Sequence, residues 1–175
     1  AIQWFDTYVK NNNKPSEQKN KLYILHADLI PYFGKMNLSQ ITTLEMERYK
    51  SKLLERGKLS PKSINNRLSI IRRCLRSALE WEMIESLPII RLLKIPPQKY
   101  DYLTEEETLL LLSATCDDDH DMILLAVRTG LRFGEIVGLK WEDINFDEKI
   151  LTVNRSIVNG IIGSPKSNKH RVVPL

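Results

Sequence analysis

The chain has 175 residues, 42% of them hydrophobic, and a formal net charge of +4, which allows one or two domains with a proper core and excludes disordered and fibrous chains. That charge is uneven: residues 1–100 hold 18 basic and 9 acidic side chains, a net of +9, while residues 101–175 hold 8 and 13, a net of −5. No apolar run reaches the roughly 20 residues of a membrane helix and no signal peptide opens the chain, so a cytoplasmic protein is expected, its widely spaced Cys74 and Cys116 reading as reduced thiols.

In chain order, Ile2 to Val9 reads as a helix with Ile2, Phe5 and Val9 on one face. The chain lacks an initial Met and starts inside this pattern, so residues are expected upstream. Ser16 reads as the cap of a second helix whose buried stripe is Leu22, Leu25, Leu29 and Ile30. Thr42 or Thr43 caps a third. Ser60-Pro61, a cap followed by proline at the first helical position, opens the longest one. Its stripe of Ile64, Leu68, Ile71, Leu75 and Ala78/Leu79 repeats at helical spacing. Its other face carries Lys62, Asn65, Asn66, Ser69, Arg72, Arg73 and Arg76, with no acid between Ser60 and Leu79. Such a row suits base edges and phosphates in a major groove, and a solvated face is the alternative.

Paired prolines at Pro96-Pro97 and the change in charge sign mark a connector, giving a helical DNA-binding domain at 1–96, a linker at 97–103 and a second domain at 104–175. Thr104 and Glu107 form a capping box. Asp117, Asp118, Asp119 and Asp121 cluster at the start of the next helix, where acids favour the helix dipole, and no metal site is assigned to them. Trp141 to Phe146 and Ile150 to Val153 read as short antiparallel strands, Ile157 to Ile162 as a hairpin turning at Asn159-Gly160 that could extend their sheet, and His170 to Leu175 as a returning strand.

Between these helices and strands lies Arg128-Thr129-Gly130-Leu131-Arg132-Phe133-Gly134-Glu135. Gly130 suits the left-handed position past a helix end, which brings Arg132 to the start of the next helix. Glu135, three residues on, can back-bond that start or orient the arginine. An arginine fork held by a carboxylate can clamp a phosphodiester, and a plain helix corner with a surface arginine is the alternative.

Taken together, these motifs resemble the tyrosine recombinases of the phage integrase family. Residues 128–136 are similar to the box around the family's first catalytic arginine, Ser164 to Leu175 resembles the β-hairpin bearing its catalytic lysine, and Leu59 to Leu68 resembles the long helix of its core-binding domain. The resemblance implies a mainly α fold with a small antiparallel β-sheet: an all-α core-binding domain, then a truncated α+β catalytic domain, closing as a clamp on double-stranded DNA. Arg132 would grip the scissile phosphate, Glu135 would support it, and Lys166 would protonate the departing 5′ oxygen. Lys62, Asn65, Asn66, Arg72, Arg73 and Arg76 would contact the attachment or crossover site. A tyrosine would store the bond as a 3′-phosphotyrosine, so neither metal nor nucleotide cofactor is expected, and the intact protein would act as a tetramer on paired sites. The family's later His-x-x-Arg box and nucleophilic tyrosine have no counterpart here. All six tyrosines precede Arg132 and the chain stops within a strand, so this stretch is expected to bind DNA without cleaving it. The competing expectations are a helical DNA-binding transcriptional regulator with a C-terminal interaction module, and an RNA-binding adaptor.

Overall fold

Polar caps open three of the helices, as their sequences require. Thr42 Oγ1 accepts from Glu45 N–H at 3.3 Å, and Ser60 Oγ from Ser63 N–H at 3.2 Å. Thr104 and Glu107 bond reciprocally at 3.2 and 2.8 Å. The structure, a computed structural model, describes residues 1–97, 99–164 and 170–175. It divides into two compact units, Ala1–Gln98 and Lys99–Leu175. No helix among the described residues is long and apolar enough to cross a membrane.

The first unit is helical throughout its regular structure. Residues 2–12 form one helical run, residues 15–33 a second, and Thr43–Glu55 and Pro61–Glu80 follow. The second run starts one residue before the expected Ser16 cap, because Pro15 takes the first helical position that its fixed φ suits. Its turn widens to the π type at Leu25–Leu29, just before Pro31, which has no N–H to return to the preceding turn. The expected stripe of the longest helix is buried: Ile64, Leu68, Ile71, Leu75 and Ala78 join Trp4, Val9, Leu25, Met46 and Leu53 in the core. Trp4 Nε1 donates to Ser77 Oγ at 3.1 Å, tying the first helix to the last.

This core also holds polar groups. Asp28 is buried and accepts from Arg67 Nε at 2.6 Å and from Arg56 Nη1 at 3.2 Å. Arg67 lies on the apolar side of its helix, one turn from Ile64, and covers Asp28 there. Beside them Tyr49 packs its ring against Tyr32 and Phe33 at centroid distances of 4.9 Å. Its hydroxyl is buried without a hydrogen-bond partner among the described residues, and burial, then the nearby Asp28, pushes its pKa up. An unpaired buried hydroxyl costs about 1–3 kcal/mol, so Tyr49→Phe is expected to leave stability unchanged or raise it by about 1 kcal/mol. Denaturant unfolding measures this, and a loss above about 1 kcal/mol would reveal a partner for the oxygen.

The second unit opens with helices Glu105–Ala114, Asp117–Thr129 and Phe133–Val137. Strands β1 (Ile144–Asn145), β2 (Ile150–Val153) and β5 (Arg171–Pro174) form an antiparallel sheet in the order β1-β2-β5. Leu151 pairs with both Ile144 and Val173. Leu131, Leu151 and Val153 form the buried centre, with Leu125, Ile136 and Val173 packed around it.

Two strand expectations change. Most of 141–146 is not strand: Trp141–Asp143 is a 3-10 turn, because the Asp143 carboxylate accepts the Lys140 N–H at 2.9 Å and folds the backbone back. The hairpin at 156–163 turns at Asn159-Gly160, both with positive φ (52° and 75°), but its strands β3 (Ser156–Val158) and β4 (Ile161–Gly163) form a separate two-stranded sheet. β3 packs on the Phe133–Val137 helix instead. There a Cβ on Gly134 would stand 2.7 Å from the Ile157 carbonyl oxygen, so glycine permits the approach.

Candidate functional site

The turn around Gly130 builds the site. Gly130 ends the Asp117–Thr129 helix in the left-handed conformation (φ 64°), with its N–H donating to the Ala126 carbonyl at 2.9 Å. The chain then buries Leu131 and turns extended at Arg132, the N-cap of the short helix Phe133–Val137. Anchoring Leu131 inside the core directs the next side chain outward, and 59% of Arg132 is exposed.

Glu135 answers this exposure from below. Its side chain is 1% exposed and receives four hydrogen bonds among the described residues. Arg132 N–H donates at 2.9 Å and Arg132 Nη1 at 3.2 Å. Arg171 Nη1 and Nη2 donate to the two carboxylate oxygens at 2.9 and 2.6 Å, a bidentate pair. Arg171 faces inward because it shares strand parity with Val173, which packs on the core, and both stand opposite buried residues of β2. The Arg171 hydrogen bonds hold the Glu135 carboxyl down at about 2 against the opposing effect of burial, and the Arg132 amide and guanidinium add to this. The same pairing raises the Arg171 pKa.

The electrostatic outcome follows from counting charges. One carboxylate is shared by two guanidinium groups, so the cluster carries a net +1. Arg171 neutralises Glu135, and the exposed Arg132 keeps a charge and most of its donor fork for an anion.

A second buried carboxylate is spent differently. Asp143 accepts from Lys140 N–H at 2.9 Å, Asn154 Nδ2 at 3.0 Å and Arg155 Nη1 at 2.5 Å. Burial pushes its pKa up, but these donors outweigh it and hold the carboxyl below its ordinary value. Arg155 also reaches Glu142 at 3.0 Å and so ties the 3-10 turn to the chain after β2. Among the described residues no group of three or more His, Cys, Asp or Glu side chains could hold a metal ion.

Lys166 lies outside the described residues, five positions before Arg171 in sequence. In the first unit the row on the Pro61–Glu80 helix divides. Lys62, Asn66 and Arg76 are exposed and make no side-chain hydrogen bond or ion pair among the described residues. Arg73 is half-buried: its guanidinium stacks over the Tyr8 ring at 4.5 Å and bonds the Tyr8 hydroxyl. Asn65 is buried and holds both backbone groups of Leu93, while exposed Arg72 bonds the Ile90 carbonyl.

Two structurally central arginines, Arg171 and Arg67, escaped the sequence reading. Each sits at an apolar-face position, in register with Val173 and beside Ile64, and that misplacement was the available signal.

The chain also matches known proteins. The signature described as "Phage integrase family" matches residues 101–175, and "Phage integrase, N-terminal SAM-like domain" matches residues 1–54. The tyrosine recombinase XerA of Pyrococcus furiosus is 33% identical across 100% of this chain and 56% of its own length. The ICEBs1 integrase of Bacillus subtilis strain 168 is 29% identical over 77% of this chain and 38% of its own. Among solved structures, the Tn1549 transposon integrase bound to transposon right end DNA superposes with a TM-score of 0.82 at 20% identity, covering 99% of this chain and 60% of that one. The chain thus spans about half or less of the length of these curated relatives.

Proposed function

Since the chain belongs to the phage integrase family of tyrosine recombinases, we propose that it is the duplex-holding and phosphate-gripping part of a site-specific DNA recombinase. The observation that carries this reading is the Arg132–Glu135–Arg171 cluster. A buried carboxylate already neutralised by one arginine holds a second, exposed arginine in place without cancelling it. Such a group is suited to the extra negative charge of a pentacovalent phosphorus, because its position is set before the reaction begins.

In this reading a tyrosine supplied by the longer protein attacks the scissile phosphorus. The 3′ phosphate becomes joined to that tyrosine, and the 5′ oxygen leaves with a proton from Lys166. Glu135 positions Arg132 and stays ionised. No step requires a nucleotide or a metal from the residues described. The remainder of the longer protein would also cover the apolar surface that the second unit exposes at Phe133, Trp141, Phe146 and Ile162.

Duplex contact by the first unit falls to Lys62, Asn66 and Arg76, which share the exposed face of the longest helix. Arg72, Arg73 and Asn65 have partners of their own within the unit. Each phosphate contact contributes about one unit to the slope of log affinity against log salt. The double variant Lys62→Ala with Arg76→Ala is therefore expected to lower that slope by about 2 in fluorescence-anisotropy titrations with duplex DNA. An unchanged slope would assign this face to solvent.

A further inference from the structure

Residues 89–94 have no helix or strand of their own, yet side chains from two helices hold their backbone. Ile89 N–H donates to Thr43 Oγ1 at 2.9 Å, and Lys50 Nζ donates to the Arg91 carbonyl at 3.3 Å. From the other helix, Arg72 Nη2 bonds the Ile90 carbonyl. Asn65 bonds Leu93 twice: Nδ2 donates to its carbonyl at 2.9 Å and Oδ1 accepts its N–H at 2.8 Å. One amide thereby satisfies both backbone groups of one residue, as a neighbouring strand would. Between these contacts Ile90 is buried in the core and Leu93 packs against it.

The spacing fits an extended segment lying along the helix. Asn65 and Arg72 are seven residues apart, about 10 Å of helix rise, and Leu93 and Ile90 are three apart, about 10 Å of extended backbone. The pairing runs in opposite directions, 72 with 90 and 65 with 93, so each contact reinforces the other.

We propose that Asn65 and Arg72 form a latch that docks the 89–94 strap on the first unit and shortens the tether to the second. With the strap wholly undocked, the chain between Glu80 and Glu105 could extend to about 80 Å; fixed through Leu93, the free part reaches only about 35–40 Å. A shorter tether raises the effective concentration of the second unit at a duplex held by the first. That purpose rests on the recombinase reading above, whereas the docking itself does not.

The test uses the whole chain and four neighbouring variants, Asn65→Ala, Arg72→Ala, Asn66→Ala and Arg76→Ala. Trypsin cleavage after Arg91 and Lys94 is followed by intact mass, alongside the salt slope of duplex binding. Asn65→Ala is expected to speed those two cuts about tenfold and Arg72→Ala severalfold, because proteolysis tracks local opening. Asn66→Ala and Arg76→Ala leave the cuts at the parent rate, while Arg76→Ala lowers the salt slope and Arg72→Ala does not. If Asn65→Ala unfolds the unit and is cut throughout, Arg72→Ala still decides the matter through cuts confined to the strap. Unchanged cleavage in both latch variants, or a lower salt slope in Arg72→Ala without faster cleavage, overturns the latch and returns these residues to the DNA face. Loss of duplex binding in every form, parent included, sinks the DNA-holding reading, and the cleavage rates judge the latch separately.

Discussion

In the full-length protein, Arg132→Ala is expected to abolish covalent protein–DNA adducts on a suicide substrate, a loss of at least about 10³-fold, while duplex affinity falls by less than tenfold. The size follows from removing a preorganised charge at the position where transition-state charge develops. The small effect on affinity follows from the number of other cationic contacts that a duplex would make with the basic first unit. Arg132 is a side chain at 59% exposure, so its loss leaves no cavity and removes only the 3.2 Å pair with Glu135, and the variant should unfold close to the parent midpoint. That control matters, since an unfolded variant would also give no adduct. If adducts persist at the parent rate, Arg132 does not touch the scissile phosphate. If the intact protein forms none on any attachment-site DNA, the helical DNA-binding regulator becomes the better reading.

Replacing Glu135 acts on stability first. Glu135→Ala strands the Arg171 guanidinium and the Arg132 amide that it pairs, and a loss on the order of 3 kcal/mol is expected. Its pH dependence has a definite sign. The folded pKa of about 2 lies below the ordinary 4.5, so the contribution is fully present above about pH 4.5 and drains away as pH falls toward 2. The depression corresponds to about 3 kcal/mol at neutral pH. Between pH 5 and pH 2.5 the parent should therefore lose markedly more stability than Glu135→Gln, which has no proton to take up. Denaturant titrations at the two pH values measure this, and parallel losses in parent and variant would show that Glu135 is not the group responsible. Arg171→Ala should reproduce the loss in part and also slow adduct formation, because Arg132 would then share an un-neutralised carboxylate.

Much of the fold is legible in the sequence. Caps at Thr42, Ser60 and Thr104, the stripe from Ile64 to Ala78 and the glycine stop at Gly130 are all local signals. Each depends on residues within a turn or two of one another, and local spacing carries that information. The strand expected over Trp141–Phe146 forms only at Ile144–Asn145, for the complementary reason. Its alternation fits a strand, but Asp143 captures the Lys140 amide, and Asn154 and Arg155, eleven and twelve residues on, hold and neutralise it.

The candidate site divides along the same line. Spacing alone placed Arg132 at a helix start with Glu135 three residues on, which is enough to propose an anion grip. It could not reveal that Arg171 closes on Glu135 from 36 positions away, because that contact depends on how β5 pairs with β2. Nor could a helical wheel separate Asn65 from Asn66, since adjacent amides differ only in what the rest of the unit brings against them. By itself, then, the sequence determined the longest helix and its buried stripe, the basic–acidic division and the arginine at the turn, all set by neighbours in the chain, whereas Leu22, expected in the buried stripe of the second helix, is exposed. Only the tertiary structure decided which charges remain available to a ligand. That depends on which partners burial and strand pairing bring close enough to neutralise them: Glu135 by Arg171 and Asp28 by Arg67.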